Sequence, residues 1–302
     1  MEISLDPGCR PHDSTNNEQG ALMNTITRRE IDVLGQRVSY LEAGSGERVV
    51  VLLHGMTSDA TNWAETLPAL ASSGYRAIAP DHLGFGQSSK PNIPIKPRTL
   101  VDVIESLLDV LKIGSVTLVG QSMGGHVAGL FAADSPVPVN GLVLVNAGYG
   151  LALSETDDVR DLGHAKTRGG LWALNPATRR EARALLAQVF HNQALVSDEN
   201  VEAFFAARLG TGDGWAIQSI AESWARREDM LDPLLERLGR SAVLVVQSRH
   251  DQITPLELGL KIHDGIPGSQ LAVLEDCGHA PPVEVPDVFN RVLIEFLSSV
   301  WV

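Results

Sequence analysis

Ser115-Val116-Thr117-Leu118-Val119-Gly120-Gln121-Ser122-Met123-Gly124-Gly125 decides how the rest of this chain is read. A short apolar run of strand length meets G-x-S-x-G, and His126-Val127-Ala128-Gly129-Leu130-Phe131-Ala132-Ala133 follows with the composition of a helix. Apolar runs bounded by turn residues read as buried strands. A serine at a sharp strand-to-helix turn has strained backbone angles, and its hydroxyl projects from the top of a sheet. Small residues two before and two after it let strand and helix approach closely. The helix N-terminus then lies beneath any negative charge that develops there. Ser122 is therefore a candidate nucleophile.

A serine hydroxyl is a weak nucleophile near neutral pH and needs a base, itself oriented by an acid. Both types of residue occur downstream. Ala242-Val243-Leu244-Val245-Val246 reads as a second buried strand, and Asp251 lies just past its end. Leu271-Ala272-Val273-Leu274 reads as another strand, followed by Glu275-Asp276-Cys277-Gly278-His279-Ala280-Pro281-Pro282. Open α/β sheets carry their chemistry in the loops past the carboxyl ends of the strands, so Asp251 and His279 are the candidate acid and base. Two rival positions for the acid carry less weight. The strand Gly141-Leu142-Val143-Leu144-Val145 ends in Asn146-Ala147-Gly148 and offers no carboxylate, and Asp276 lies only three residues before His279.

Two further motifs fall in order. His54-Gly55-Met56 follows the run Val49-Val50-Val51-Leu52-Leu53, and Ala79-Pro80-Asp81-His82-Leu83-Gly84-Phe85-Gly86-Gln87-Ser88 matches PD-x-x-G-x-G-x-S. On these motifs the chain resembles the α/β-hydrolase-fold superfamily, in its single-domain serine esterase type with a helical cap. The match spans roughly residues 28–300, and the order Ser122, Asp251, His279 is that of the fold. The resemblance implies an α/β fold with a mostly parallel central sheet, helices on both faces, and a helical cap inserted after strand 6. It also implies an oxyanion hole from the backbone N–H groups of Met123 and Met56. Their side chains would supply an apolar wall to the pocket. His54 and His82 are expected to be structural, and His126 to lie in the first helical turn after the nucleophile. His250 should face away from His279, and His191 has no partner legible in the sequence.

The boundaries expected are a disordered tail over 1–27, core over 28–148, cap over 149–234, and core again over 235–302. Residues 1–22 are polar and rich in Pro, Gly and Asn, with no apolar segment of a secretory signal, and Met23 is a plausible start. A hairpin is expected around Leu34-Gly35-Gln36. Within the cap, 181–190, 202–209 and 216–224 have helical periodicity. Trp172, Phe190, Phe204, Trp215 and Trp224 are candidates for the pocket lining, although packing the cap onto the core is the commoner use of such aromatics.

Composition narrows the classes further. With 302 residues and 44% hydrophobic content the chain can bury a full core, and its net charge of −13 disfavours nucleic acid or an anionic membrane as partner. No run is long and apolar enough for a transmembrane span. Two cysteines, Cys9 and Cys277, are too few for a disulfide framework. A cytoplasmic monomer or homodimer with free thiols is expected. No metal or cofactor motif appears, so none is expected.

The leading expectation is hydrolysis of small to medium carboxylic esters through an acyl-enzyme. The second is hydrolytic C–C cleavage of a vinylogous diketone, as in meta-cleavage product hydrolases, whose C-terminal region 286–297 resembles. Against it, those enzymes usually carry Trp after the histidine, where this chain has Ala280, and often Asn before the nucleophile, where it has Gln121. The third is a non-catalytic ligand receptor on the same fold.

Overall fold

The structure is a computed structural model that describes residues 25–148 and 174–301. Helices are numbered here among those residues. The chain opens with β1 (Thr27–Val33) and β2 (Gln36–Ala43), paired antiparallel through the two-residue turn Leu34-Gly35. Both turn residues have positive φ, 53° and 72°, which matches the twist of a tight hairpin. Next come β3 (Val49–Leu53), α1 (Thr66–Ser72), β4 (Arg76–Pro80), α2 (Pro97–Val110), β5 (Val116–Gln121), α3 (Met123–Asp134) and β6 (Val139–Val145). Helices α4 (Arg179–Val189), α5 (Asp198–Thr211) and α6 (Gly214–Ala225) then intervene, with short α7 (Leu235–Leu238) leading into β7 (Ala242–Ser248). The chain closes with α8 (Leu256–Gly265), β8 (Gln270–Leu274), α9 (Pro281–Glu284) and α10 (Pro286–Val300).

The eight strands form one sheet in the order β1-β2-β4-β3-β5-β6-β7-β8. Among the described residues only the β1–β2 and β2–β4 pairings are antiparallel. Burial on both faces explains why the central strands read as unbroken apolar runs instead of alternating. Side chains nevertheless alternate by face. Val51 and Leu53 join one core with Leu107 of α2 and Val127 of α3, whereas Val50 and Leu52 join another with Leu67 of α1 and Phe296 of α10. Helix α3 is buried on nearly every side, so its sequence carries no amphipathic stripe.

The sheet order reverses at β3. Strand β4 lies on one side of it and β5 on the other, so the connections leave in opposite directions and a crevice opens past the carboxyl ends of β3 and β5. The helices expected from periodicity between β6 and β7 all form, as a cap inserted after the sixth strand. Thr178 caps α4 through Glu181 N–H, and Ser197 caps α5 through Asn200 N–H.

The PD-x-x-G-x-G-x-S loop acts as a buckle at the carboxyl end of β4. Buried Asp81 accepts from Ala60 N–H at 2.8 Å, Gln87 N–H at 2.9 Å and the Arg28 guanidinium at 2.9 Å. Ser88 Oγ donates back to Asp81 O at 2.7 Å. Gly86 has φ 48°, and a Cβ there would lie 2.4 Å from the Asp81 carboxyl carbon, so the close approach demands glycine.

Candidate active site

Ser122 stands between β5 and α3 with φ 56° and ψ −120°, an uncommon conformation for a residue with a side chain. Its own N–H donates to Val145 O at 2.9 Å, and Ser122 O accepts from the N–H groups of Gly125 and His126. Packing holds the turn as well. A Cβ on Gly120 would sit 2.2 Å from Gly124 O, and one on Gly124 would sit 2.2 Å from Leu53 O. The glycines flanking the serine are therefore required by contact of backbone with backbone.

The three residues predicted from loops far apart in sequence meet here. His279 Nε2 is 2.9 Å from Ser122 Oγ, and His279 Nδ1 is 2.7 Å from Asp251 Oδ2. Asp251 Oδ1 accepts the N–H groups of Ile253 and Thr254, each at 2.8 Å, and Thr254 Oγ1 lies 2.8 Å from Oδ2. These contacts fix the carboxylate in orientation. With Asp251 on Nδ1, the proton resides there and Nε2 faces the serine as an acceptor. Asp276, the rival acid, is exposed and belongs to a different cluster.

Two side chains that sequence reasoning passed over hold the histidine loop. Gln121 Nε2 donates to His279 O at 2.8 Å. Asn146 stands just past the end of β6, with φ 47°. Its amide donates towards His279 O at 3.1 Å and Gly278 O at 3.2 Å, while its Oδ1 accepts Ser248 N–H at 2.8 Å. Asn146 thus ties the ends of β6 and β7 to the histidine loop. The uncommon left-handed asparagine after a buried strand is a signal that was present in the sequence only as an absent carboxylate.

The cap reaches the same loop. His279 N–H donates to Val189 O, the last residue of α4, at 2.6 Å, and Glu284 accepts Gly278 N–H at 2.7 Å as well as the N–H of Asn192. Covered in this way, Ser122 is 3% exposed and opens onto a cavity walled partly by the cap instead of standing clear on the sheet. The cavity holds about 310 Å³. Leu174, Leu185, Leu186, Val189, Phe190, Phe204, Ile253 and Val283 make its apolar walls, and Thr57, Ser58, Thr61 and Asn62 its polar end. The Asn62 amide nitrogen is buried with no partner among the described residues.

The candidate lining residues divide. Phe190 and Phe204 face the cavity. Trp215 does not: it is 47% exposed, and its indole N–H donates to Ile93 O at 2.9 Å. Trp224 does not either. It is fully packed against α3 and donates to His126 Nδ1 at 3.0 Å, because an apolar face of α6 is spent on docking the cap to the core. Trp172 lies outside the described residues. Met56 lines the cavity, whereas the Met123 side chain points into the core and forms no wall. Met123 opens α3, so its N–H has no acceptor within the helix, and Met56 lies in the turn past β3.

Three further histidines are buried near the site, and the rings of His54 and His126 have structural partners. His54 Nε2 accepts His82 N–H at 3.0 Å, and its Nδ1 bonds Gly55 O at 2.8 Å. His126 Nε2 bonds Asp229 O at 2.7 Å. Burial pushes the pKa of all three buried imidazoles, His54, His82 and His126, below the ordinary value, and that of His126 down to about 4. Burial also raises the Cys277 thiol to about 12, so this free cysteine is no nucleophile. Cys9 lies outside the described residues. No helix among the described residues is long and apolar enough to cross a membrane.

Fold and site together define a hydrolase of the α/β-hydrolase class. The alpha/beta hydrolase fold family matches residues 48–286, and the chain belongs to it. Among curated proteins it is similar to the 2-hydroxy-6-oxononadienedioate/2-hydroxy-6-oxononatrienedioate hydrolase of Escherichia coli strain SE11, 29% identical over 270 residues, which is 87% of this chain and 91% of that one. Among solved structures it resembles the meta-cleavage product hydrolase CumD from Pseudomonas fluorescens IP01, with a TM-score of 0.77 and 29% identity, covering 90% of this chain and 97% of that one. An esterase from Exiguobacterium antarcticum shares the fold, with a TM-score of 0.75, 23% identity, and coverage of 90% and 100%.

Proposed function

We propose that this hydrolase cleaves a carbon–carbon bond beside a ketone, in a substrate of the 2-hydroxy-6-oxo-dienoate kind, with Ser122, His279 and Asp251 as the catalytic residues. One observation carries the choice of substrate: 29% identity along nearly the whole chain to a hydrolase named for such a compound. That reading replaces the ester substrate expected first from the sequence.

The chemistry follows from the geometry. His279 Nε2 takes the Ser122 proton as Oγ adds to the ketone carbon. Asp251 holds the histidine tautomer and stabilises the imidazolium. The tetrahedral oxyanion is held by the N–H groups of Met56 and Met123, a type of contact that contributes roughly 10²–10³ in rate. When the oxyanion collapses, the adjacent C–C bond breaks. Its electron pair passes into the conjugated keto fragment, and the imidazolium returns the proton to that carbon. The acyl group remains on Ser122 as an ester. Water, deprotonated by His279, then releases the carboxylic acid and restores the serine. A leaving carbanion requires delocalisation, which the ketonised dienoate provides. The polar end of the cavity suits its oxygens, and the Asn62 amide, without a partner among the described residues, is a donor for one of them.

A second reading has its own support. Ala280 follows the histidine, and no lysine or arginine lines the cavity among the described residues to meet a carboxylate. Both features fit an uncharged ester, whose alkoxide leaves by the same steps. A small or medium acyl group fits the cavity.

Purified protein should be given an enzymatically prepared 2-hydroxy-6-oxo-dienoate, followed by loss of its visible dienolate absorbance, beside a series of p-nitrophenyl esters. A higher kcat/KM for the dienoate is expected. Turnover of esters alone would replace the C–C reading by the ester one, and turnover of neither would point to a ligand receptor. A cytoplasmic setting and a monomeric or homodimeric state, with no nucleic acid or membrane partner, belong to the same proposal. The proposed divisions likewise remain core over 28–148 and 235–302, with cap between.

A further inference from the structure

Three residues left unused by the catalytic site converge beside it. His191 follows the end of α4 in the cap. His250 precedes Asp251 on the loop after β7, and Asp276 lies on the loop after β8. One ligand atom from each lies within 4.8 Å of the other two, and all three residues are exposed. The two imidazoles stack with centroids 4.0 Å apart and planes at 11°.

We infer that His191, His250 and Asp276 bind a divalent transition-metal ion, zinc in the first instance, and that the bound ion joins the cap to both loops that carry the acid and the base. Two imidazoles with one carboxylate suit zinc, nickel, copper or cobalt, and are a poor match to calcium or magnesium, which take oxygen ligands. Zinc held at about 2.0–2.1 Å from each ligand brings donor atoms to roughly 3.3 Å of one another. The present spacing closes to that by rotation of exposed side chains, which swings the stacked rings so that their lone pairs converge. A fourth position stays open to water.

The surroundings favour a cation. Arg249 and Glu275, the immediate neighbours of His250 and Asp276, form a two-point ion pair with each other, with one contact at 2.8 Å. The guanidinium is thereby occupied and does not compete for Asp276. The backbone beneath is fixed, because Arg249 N–H donates to Leu274 O at 2.8 Å and His250 N–H to Cys277 O at 3.1 Å. His191 is anchored on both sides, by His279 N–H on Val189 O and by Glu284 on Asn192 N–H. An ion here adds a third tie between cap and histidine loop. It does not touch Ser122, so the metal-free protein keeps its chemistry. The site is independent of which substrate the enzyme takes.

The test uses the full chain stripped with chelator and dialysed. Zinc chloride is titrated by calorimetry, thermal unfolding is followed with and without zinc, and cobalt(II) is used to read the coordination from its visible bands. Saturable one-to-one binding that raises Tm is expected. His191→Ala and Asp276→Asn should each weaken it by more than ~10-fold, the loss that even outer-shell changes produce. Both variants, altered only at exposed positions, should fold and retain the zinc-free activity. Absence of saturable binding, or affinity unchanged in either variant, would overturn the assignment.

Discussion

Lowering the pH should loosen the joint between cap and core at His126. This imidazole is buried in α3, with Nδ1 accepting the Trp224 indole N–H at 3.0 Å and Nε2 donating to Asp229 O at 2.7 Å. Both nitrogens are used by the neutral ring, and a second proton would remove the acceptor that Trp224 needs. Burial is the main reason its pKa falls to about 4; the contacts with Asp229 oppose it only in part. The unfolded chain takes up the proton near 6.5. Between those values the unfolded state binds more protons than the native one, so native stability rises with pH through this window. The contribution is complete above about pH 6.5 and is lost as the pH falls towards 4. At about pH 4.5 the loss assigned to His126 is on the order of 2–3 kcal/mol, a sizeable part of the ~5–15 kcal/mol of a typical domain. Urea unfolding of the parent and of His126→Gln at about pH 7 and about pH 4.5 measures it. Glutamine keeps a donor and an acceptor but does not titrate. The parent should lose roughly 2–3 kcal/mol more than the variant over that interval. His54 and His82, shifted in the same direction, are present in both proteins and drop out of the difference. Equal losses in parent and variant would refute the reasoning.

Ser122→Ala should lower kcat by roughly 10⁵–10⁶ with an unchanged circular dichroism spectrum, and a fluorophosphonate should label Ser122 alone; an adduct mapped to another residue by mass spectrometry would remove the nucleophile assignment. Asp251→Asn should lower kcat by about 10⁴, because the asparagine amide would favour the wrong imidazole tautomer, and stopped-flow rates on either substrate class check this. Gly124→Ala should destabilise by about 3 kcal/mol or prevent folding, since the new methyl would lie 2.2 Å from Leu53 O. Normal thermal stability would contradict that packing. Chelation should leave turnover unaltered; activity abolished by EDTA and restored by zinc would contradict a serine mechanism.

What the sequence determined by itself was local or ordered along the chain. Apolar runs marked the strands, because both faces of a central parallel strand are buried. Glycines around Ser122 marked the elbow, because a Cβ there meets backbone. The order Ser122, Asp251, His279 followed from strand ends, which an open sheet places on one edge. What only the tertiary structure decided was which side chains share space. Trp215 and Trp224 have the same composition signal as Phe190 and Phe204, yet one tryptophan stands half exposed with its indole on Ile93 O and the other docks α6 on His126, while the phenylalanines line the cavity. Helical periodicity shows that a face is apolar and is silent on whether core or cavity lies opposite. The roles of Asn146 and Gln121 were not legible for a related reason: their partners are backbone carbonyls 132 to 158 positions away, and such contacts leave no pattern along the chain. His191, His250 and Asp276 come from three separate loops, and only the closure of cap onto sheet brings them together.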